Sequence, residues 1–87
     1  MNWQGIPVLV TGAGGFIGSH LTERLVTEGA RVRAFVRYNS RHDVGLLAQL
    51  PAALRAEVDV VEGDLRDGEA VRAAVAGGEI VFHLGAL

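Results

Sequence analysis

The chain has 87 residues, enough for one domain at most, and 49% of them are hydrophobic, too many for a disordered segment. Its net charge of −2 and its scattered arginines exclude a broad basic surface for nucleic acid. It contains no cysteine, which excludes disulfides and thiolate metal sites, and no stretch approaches the ~18 apolar residues of a membrane span. The composition therefore predicts a soluble, cytoplasmic protein without nucleic-acid or membrane partners.

Strand-like and helix-like runs alternate along the chain. Short runs rich in Val, Ile and Phe predict strands at Ile6–Thr11, Arg31–Val36, Val58–Glu62 and Ile80–Leu84. A first helix is predicted at Phe16–Glu28, and Gly29 ends it. A weaker helical pattern lies within Asp43–Ala56 and is broken at Pro51. A last helix is predicted at Ala70–Ala76, with Asp67 as its cap. The alternation predicts an α/β fold, a doubly wound parallel sheet of strand order 3-2-1-4 that is incomplete at its C-terminal edge.

Two apolar patterns predict which side chains pack together. In the first helix, Ile17, Leu21 and Leu25 are four residues apart and define one apolar face. In the fourth strand, the unbroken apolar run Ile80–Phe82 predicts a strand buried on both faces of the sheet.

A glycine-rich turn joins the first strand to the first helix. Gly12, Gly15 and Gly18 have the spacing G-x-x-G-x-x-G. We expect Gly12 to allow a tight turn, Gly15 to let phosphates approach the backbone, and Gly18 to let the helix pack closely. The amides around Gly15, Phe16 and Ile17 would then point at a pyrophosphate. A strand, a turn and a helix in this order favour a nucleotide site over a purely structural turn.

Three blocks of the sequence together resemble the extended short-chain dehydrogenase/reductase family, in its NAD-dependent epimerase/dehydratase branch. They are TGAGGFIGSHL at residues 11–21, GDLRD at residues 63–67 and VFHLGA at residues 81–86. The resemblance covers nearly the whole chain and implies a Rossmann-type NAD(P)-binding domain, with residues 1–87 as its N-terminal part. It also implies a homodimer for a full-length parent. The segment Arg37–Gly45 resembles the loop of nucleotide-sugar 4,6-dehydratases, which suggests a nucleotide-sugar substrate.

The resemblance implies roles for residues behind the third and fourth strands. Asp64 would accept a hydrogen bond from the adenine amino group, and Leu65 would contribute its backbone. An exposed turn carboxylate is the alternative interpretation of Asp64. Leu84, Gly85 and Ala86 would line the ribose and phosphate on the nicotinamide side, with Gly85 in place of the family's more usual alanine.

The three histidines are not predicted to hold a metal. His83 is interpreted as a packed strand residue rather than a catalyst or ligand. His20 and His42 have no partners at the spacing of metal ligands.

The end of the second strand favours NADP over NAD as the cofactor. NAD-preferring folds place an acidic residue there to bind the ribose diol, and no acidic residue occurs between Gly29 and His42. Arg37 occupies this place and can pair with a 2′-phosphate, with Asn39 and Ser40 as further candidate contacts. A solvated arginine without a ligand is the alternative.

The chain lacks the catalytic pair of the family that it resembles. That family uses Tyr-x-x-x-Lys, but all 8 basic residues here are arginine and Tyr38 is the single tyrosine. We therefore assign no catalytic residue and expect the chain to be inactive alone. Three interpretations stay open: part of a sugar-nucleotide dehydratase or epimerase, part of a reductase acting on a non-sugar carbonyl compound, or a non-catalytic dinucleotide-binding module.

Overall fold

A computed structural model of the chain describes residues 2–37, 45–64, 68–69, 72, 76 and 80–84. Its elements are β1 (Pro7–Thr11), α1 (Phe16–Thr27), β2 (Arg31–Arg37), a 3₁₀ helix (Gly45–Gln49), α2 (Ala52–Arg55), β3 (Asp59–Gly63) and β4 (Ile80–His83). Each predicted strand is present, with its bounds within one residue of the prediction.

The four strands form one parallel sheet of order β3-β2-β1-β4, which confirms the predicted order. In the register of the sheet, Thr11 is aligned with Phe35 on β2 and with His83 on β4. Phe35 is in turn aligned with Val61 on β3. The strands therefore all run in one direction, and their carboxyl ends share one edge of the sheet.

The larger core lies on the face of the sheet that α1 covers. It joins buried side chains of β1 and β2 to side chains of α1 and of the segment after β2, namely Val8, Val10, Val32, Ala34, Val36, Leu25, Val26, Leu47 and Leu50. On the opposite face, Leu9 and Phe35 are buried and Val61 packs against them. Among the described residues, the sheet thus has a large apolar cluster on one side and a small one on the other.

The buried stripe of α1 differs from the predicted one. Leu25 is buried as expected, but Ile17 is 68% exposed, whereas the polar Thr22 is 0% exposed. The helix contacts the turn after β1 through Gly18, one residue on from Ile17, and this contact turns Ile17 away from the core. Thr22 tolerates burial because its hydroxyl donates to the Gly18 carbonyl at 2.8 Å.

Strand β4 is half-buried on one face and exposed on the other, so the prediction of burial on both faces was wrong. Ile80 and Phe82 pack against the larger core, and the ring of Phe82 is 6.2 Å from that of Trp3. Val81 points to the opposite face and is 44% exposed. That face carries the small cluster, which does not extend over β4 among the described residues.

The predicted ends and breaks are mostly confirmed. Gly29 ends α1 with φ of +90°, donating to the Val26 carbonyl at 2.9 Å. Pro51 separates the 3₁₀ helix from α2. The last predicted helix begins earlier than Ala70, because Gly68 is already helical, and Asp67 lies outside the described residues. In the part of the chain that the structure describes, no helix is long and apolar enough to cross a membrane.

Candidate dinucleotide-binding site

Those predicted site residues that the structure describes lie at the carboxyl edge of the sheet. Because the strands are parallel, the turn after Thr11, the end of β2 at Arg37, Asp64 after β3 and Leu84 after β4 all lie along this edge. Strand β2 lies on one side of β1 and β4 lies on its other side, so the direction in which strands are added reverses at β1. Ligands of open α/β sheets bind at such a switch point in strand order.

The turn after β1 is built on a left-handed glycine. Gly12 has φ of +66°, a conformation that other residues rarely adopt. The Gly15 amide donates to the Gly12 carbonyl at 3.1 Å, which closes the turn. The Gly15 amide is thus engaged within the protein, and the donors left for a ligand are the next amides of the helix.

The amino end of α1 has the features of an anion site. Gly15 is its N-cap residue and has no side chain to cap the helix, and the first turn contains no acidic residue. The Ser19 amide bonds to the Gly15 carbonyl at 2.9 Å, so the amides of Phe16, Ile17 and Gly18 precede the first helical hydrogen bond. These donors and the helix dipole favour a negatively charged group at this end.

Gly15 and Gly18 are glycines for different reasons. A Cβ on Gly18 would collide with the Gly12 carbonyl oxygen and lie 2.9 Å from the Ala13 Cα, which confirms the predicted close packing. A Cβ on Gly15 would meet only the Gly12 oxygen, at 3.5 Å, an ordinary contact. The chain itself therefore leaves room for a side chain at the exposed Gly15.

The side chains beside these amides point away from the core. Phe16 is 71% exposed, and its ring lies 4.6 Å from that of His20. The His20 ring nitrogen Nδ1 is 2.8 Å from the Phe16 carbonyl oxygen. His20 is therefore engaged with the first turn of its own helix.

Arg37 and Asp64 lie at the ends of neighbouring strands. Arg37 is the last residue of β2 and is aligned with Gly63, which Asp64 follows directly. Arg37 and Asp64 are both exposed. The candidate contacts Asn39, Ser40 and Leu65 lie outside the described residues.

A hydrogen bond joins β1 to β4 at the switch point. The hydroxyl of Thr11, which is 4% exposed, lies 3.0 Å from the His83 ring nitrogen Nδ1. His83 is exposed rather than packed, because it is on the face of β4 that the small cluster leaves open. Leu84 follows at 44% exposure, and Gly85 and Ala86 lie outside the described residues. The sequence did not predict the hydrogen bond of Thr11 with His83, because nothing in the glycine motif indicates it.

A second contact that the sequence did not predict joins the glycine turn to the segment after β2. The Leu46 amide, in the 3₁₀ helix after β2, donates to the Gly14 carbonyl at 2.9 Å. Gly45 has φ of +65°, and a Cβ there would lie 2.6 Å from the same carbonyl oxygen. A lone glycine before Leu46 was the only sequence signal of this approach.

The other edge of the sheet carries a groove of about 640 Å³ lined by residues at the amino ends of β1 and β2. Its charges include Arg33 and Asp59, which pair at 3.1 Å. The groove lies at the opposite edge of the sheet from the glycine turn.

Comparison with known proteins agrees with this geometry. The sheet order and the glycine turn define a Rossmann-type α/β protein. The family model described as GDP-mannose 4,6 dehydratase matches residues 9–87. The chain belongs to this family, within the NAD(P)-dependent epimerase/dehydratase branch of the extended short-chain dehydrogenases/reductases, as its sequence motifs predict.

Individual relatives carry out different reactions. UDP-glucuronate 4-epimerase 6 of Arabidopsis thaliana is 42% identical over 70 residues, which are 79% of this chain and 15% of that protein. The 3-beta-hydroxysteroid dehydrogenase of Mycolicibacterium neoaurum is 38% identical over 80 residues, 92% of this chain and 19% of that protein. The chain thus spans less than a fifth of the length of these two curated relatives.

A solved structure extends the comparison to the backbone. A variant of uronate dehydrogenase from Agrobacterium tumefaciens, complexed with NAD, superimposes with a TM-score of 0.67 and 33% identity. The match covers 94% of this chain and 27% of that one.

Proposed function

We propose that residues 1–87 are the N-terminal part of an NAD(P)-binding domain in a nucleotide-sugar epimerase or dehydratase. The observation that carries the proposal is the uncapped amide end of α1 behind the left-handed Gly12, at the switch point of the sheet. The GDP-mannose 4,6 dehydratase family model and the UDP-glucuronate epimerase relative support the sugar-nucleotide substrate.

The roles of individual residues are those that the glycine turn and the family resemblance imply. The amides of Phe16 and Ile17 bind the pyrophosphate, which approaches over Gly15. Asp64 and Leu65 contact adenine. The residues that line the nicotinamide-side ribose are Leu84, Gly85 and Ala86.

The reaction itself needs more than this chain. The bound nicotinamide supplies the site that accepts and returns a hydride. The chain lacks lysine, so the Tyr-x-x-x-Lys pair of the family comes from elsewhere in a longer parent, and the 87 residues alone are inactive. We infer a homodimer for that parent, as the family resemblance implies.

We infer that NADP is preferred over NAD. No acidic residue lies within β2, and Arg37 stands exposed at its end. A guanidinium pairs with a 2′-phosphate, whereas a carboxylate in this position would repel it. Asn39 and Ser40, which follow two and three positions later in the sequence, are candidate amide and hydroxyl contacts.

A reductase acting on a non-sugar carbonyl compound is the second candidate. The relation to a 3-beta-hydroxysteroid dehydrogenase, which covers 92% of this chain, favours it. The dinucleotide site serves both candidates equally. Testing the full-length parent separates them, because only the first candidate converts a nucleotide sugar.

The variant Gly15→Asp tests the dinucleotide site. Gly15 has φ of −79° and ψ of 176° at the N-cap, where aspartate is a preferred residue, so the fold should tolerate the change. The new carboxylate occupies the space of the pyrophosphate and repels it. We expect titration with NADPH, followed by nicotinamide fluorescence, to show at least about a tenfold loss of affinity, equivalent to ~1.4 kcal/mol.

Gly68→Asp is the matched control. It makes the same change in charge at an exposed helical position with open space around the Cβ. NADPH binding should persist in this variant. Equal affinity of Gly15→Asp and the unaltered chain would refute the proposed site.

A further inference from the structure

The peptide unit between Gly14 and Gly15 is fixed on both sides. Its carbonyl, on Gly14, accepts the Leu46 amide at 2.9 Å. Its N–H, on Gly15, donates to the Gly12 carbonyl at 3.1 Å. This peptide directly precedes the Phe16 amide, so its orientation sets the direction of the first amides of α1.

The 3₁₀ helix that holds this peptide is anchored in the core. Leu47, next to Leu46 in the 3₁₀ helix, is 2% exposed, and Leu50 is 8% exposed. Gly15, by contrast, is exposed at the surface. An atom added between the 3₁₀ helix and the Gly14 carbonyl would therefore push the glycine turn and the 3₁₀ helix apart.

Gly45 is the residue that permits this contact. Its φ of +65° points the chain toward Gly14, and a Cβ would lie 2.6 Å from the Gly14 oxygen and 3.2 Å from the Gly14 carbonyl carbon. Both atoms belong to backbone, which cannot yield as the end of a flexible side chain does.

We propose that Gly45 is a positioning residue for pyrophosphate binding. The backbone of residues 45–46 holds the Gly14–Gly15 peptide, and that peptide aims the helix amides at the phosphates. The inference rests on the proposed dinucleotide function and adds to it a determinant outside the glycine motif.

The variant Gly45→Ala is the test, with Gly5→Ala as the matched control. Gly5 has a similar φ of +73°, but a Cβ there meets nothing within 4 Å. Both variants therefore carry the strain of alanine in a left-handed conformation, and only Gly45→Ala pushes on the glycine turn.

The first measurement uses no ligand. In amide ¹H–¹⁵N spectra of the chain, we expect Gly45→Ala to shift the resonances of Gly14, Gly15, Phe16 and Ile17, while Gly5→Ala leaves them in place. Unchanged resonances in folded Gly45→Ala would overturn the proposal, whether or not the chain binds a dinucleotide.

The second measurement is NADPH affinity. We expect Gly45→Ala to bind at least about tenfold more weakly than Gly5→Ala, the scale of one hydrogen bond to a charged group. Equal affinities in the two variants would overturn the positioning role. Absence of binding by the unaltered chain would instead count against the proposed function.

Hydrogen exchange of the unaltered chain covers the case in which Gly45→Ala fails to fold. We expect NADPH to slow exchange of the Leu46 amide together with those of Phe16 and Ile17. The Gly5 amide, which donates to Gly29 at 2.9 Å on the other side of the fold, is the internal control. Protection of Phe16 and Ile17 without protection of Leu46 would contradict the coupling.

Discussion

At the scale of single residues, equally spaced glycines serve unlike purposes. Gly12 supplies a left-handed φ, and Gly18 removes a Cβ that would strike backbone. Gly15 has an ordinary extended φ and room for a side chain. The structure thus explains Gly12 and Gly18 by folding alone, while the explanation of Gly15 lies in the proposed ligand.

Arg37 is the residue on which cofactor preference is expected to depend. We expect Arg37→Asp to weaken NADPH binding by at least about tenfold, because a charge-assisted hydrogen bond is lost and repulsion replaces it. NADH has no 2′-phosphate, so its affinity should change far less. Parallel titrations with the two cofactors measure the ratio.

Arg31→Asp provides the control for Arg37→Asp. Arg31 is also exposed on β2, but it begins the strand, at the opposite edge of the sheet from the glycine turn. This variant should keep the original ratio of NADPH to NADH affinity. Equal losses for both cofactors in Arg37→Asp would exclude Arg37 as the selective residue.

At the scale of elements, α1 is positioned by its contact with the turn that precedes it. Gly18 touches the Gly12–Ala13 backbone, and the stripe behind it continues through Thr22 and Leu25 to the sheet. The amide end of the helix is therefore held where β1 ends. The same contact that packs the helix also places its anion-binding end.

Gly18→Ala is expected to destabilise the fold. The methyl group forces the helix away from the turn, and overpacking of this kind costs about 1–3 kcal/mol of the free energy of unfolding. Urea unfolding followed by circular dichroism measures the change. Gly68→Ala, at a helical position with open space, should be neutral or stabilising by up to ~1 kcal/mol.

A Gly18→Ala variant as stable as Gly68→Ala would contradict the close helix–turn contact. A loss confined to dinucleotide affinity, without a loss of stability, would assign Gly18 a binding role instead.

At the scale of the whole molecule, stability and ligand binding are linked. The described sheet has a large core on the α1 side and only a small cluster opposite, with Val81 and Leu84 each 44% exposed. A ligand that binds only the folded chain at 100 times its Kd adds about 2.7 kcal/mol to the free energy of unfolding.

We therefore expect saturating NADPH to raise the unfolding temperature of the chain by roughly 10–20 °C, since each kcal/mol is worth about 4–8 °C in a domain of this size. Differential scanning calorimetry with and without NADPH measures the shift. Gly15→Asp, with at least about tenfold weaker binding, should show at most about half of this shift, because about 1.4 kcal/mol of stabilisation remains at ten times its Kd. An unchanged midpoint for the unaltered chain at high NADPH would argue against a dinucleotide site in these residues.

The sequence by itself determined the strand order, the glycine turn, the end of α1 at Gly29 and the break at Pro51. The glycine turn and the two helix boundaries depend on local chemistry, because glycine and proline alter the backbone directly. The strand order followed from the alternation of short apolar strands with helices. The alignment of the predicted site residues along one edge followed from the parallel order alone.

Only the tertiary structure decided which faces are buried and which contacts hold the site. Apolar spacing selected Ile17, but the approach of Gly18 to the turn rotated α1 so that Thr22 is buried instead. The hydrogen bond of Thr11 with His83 joins residues 72 positions apart. Such contacts depend on how elements meet in space, and no local pattern encodes that geometry.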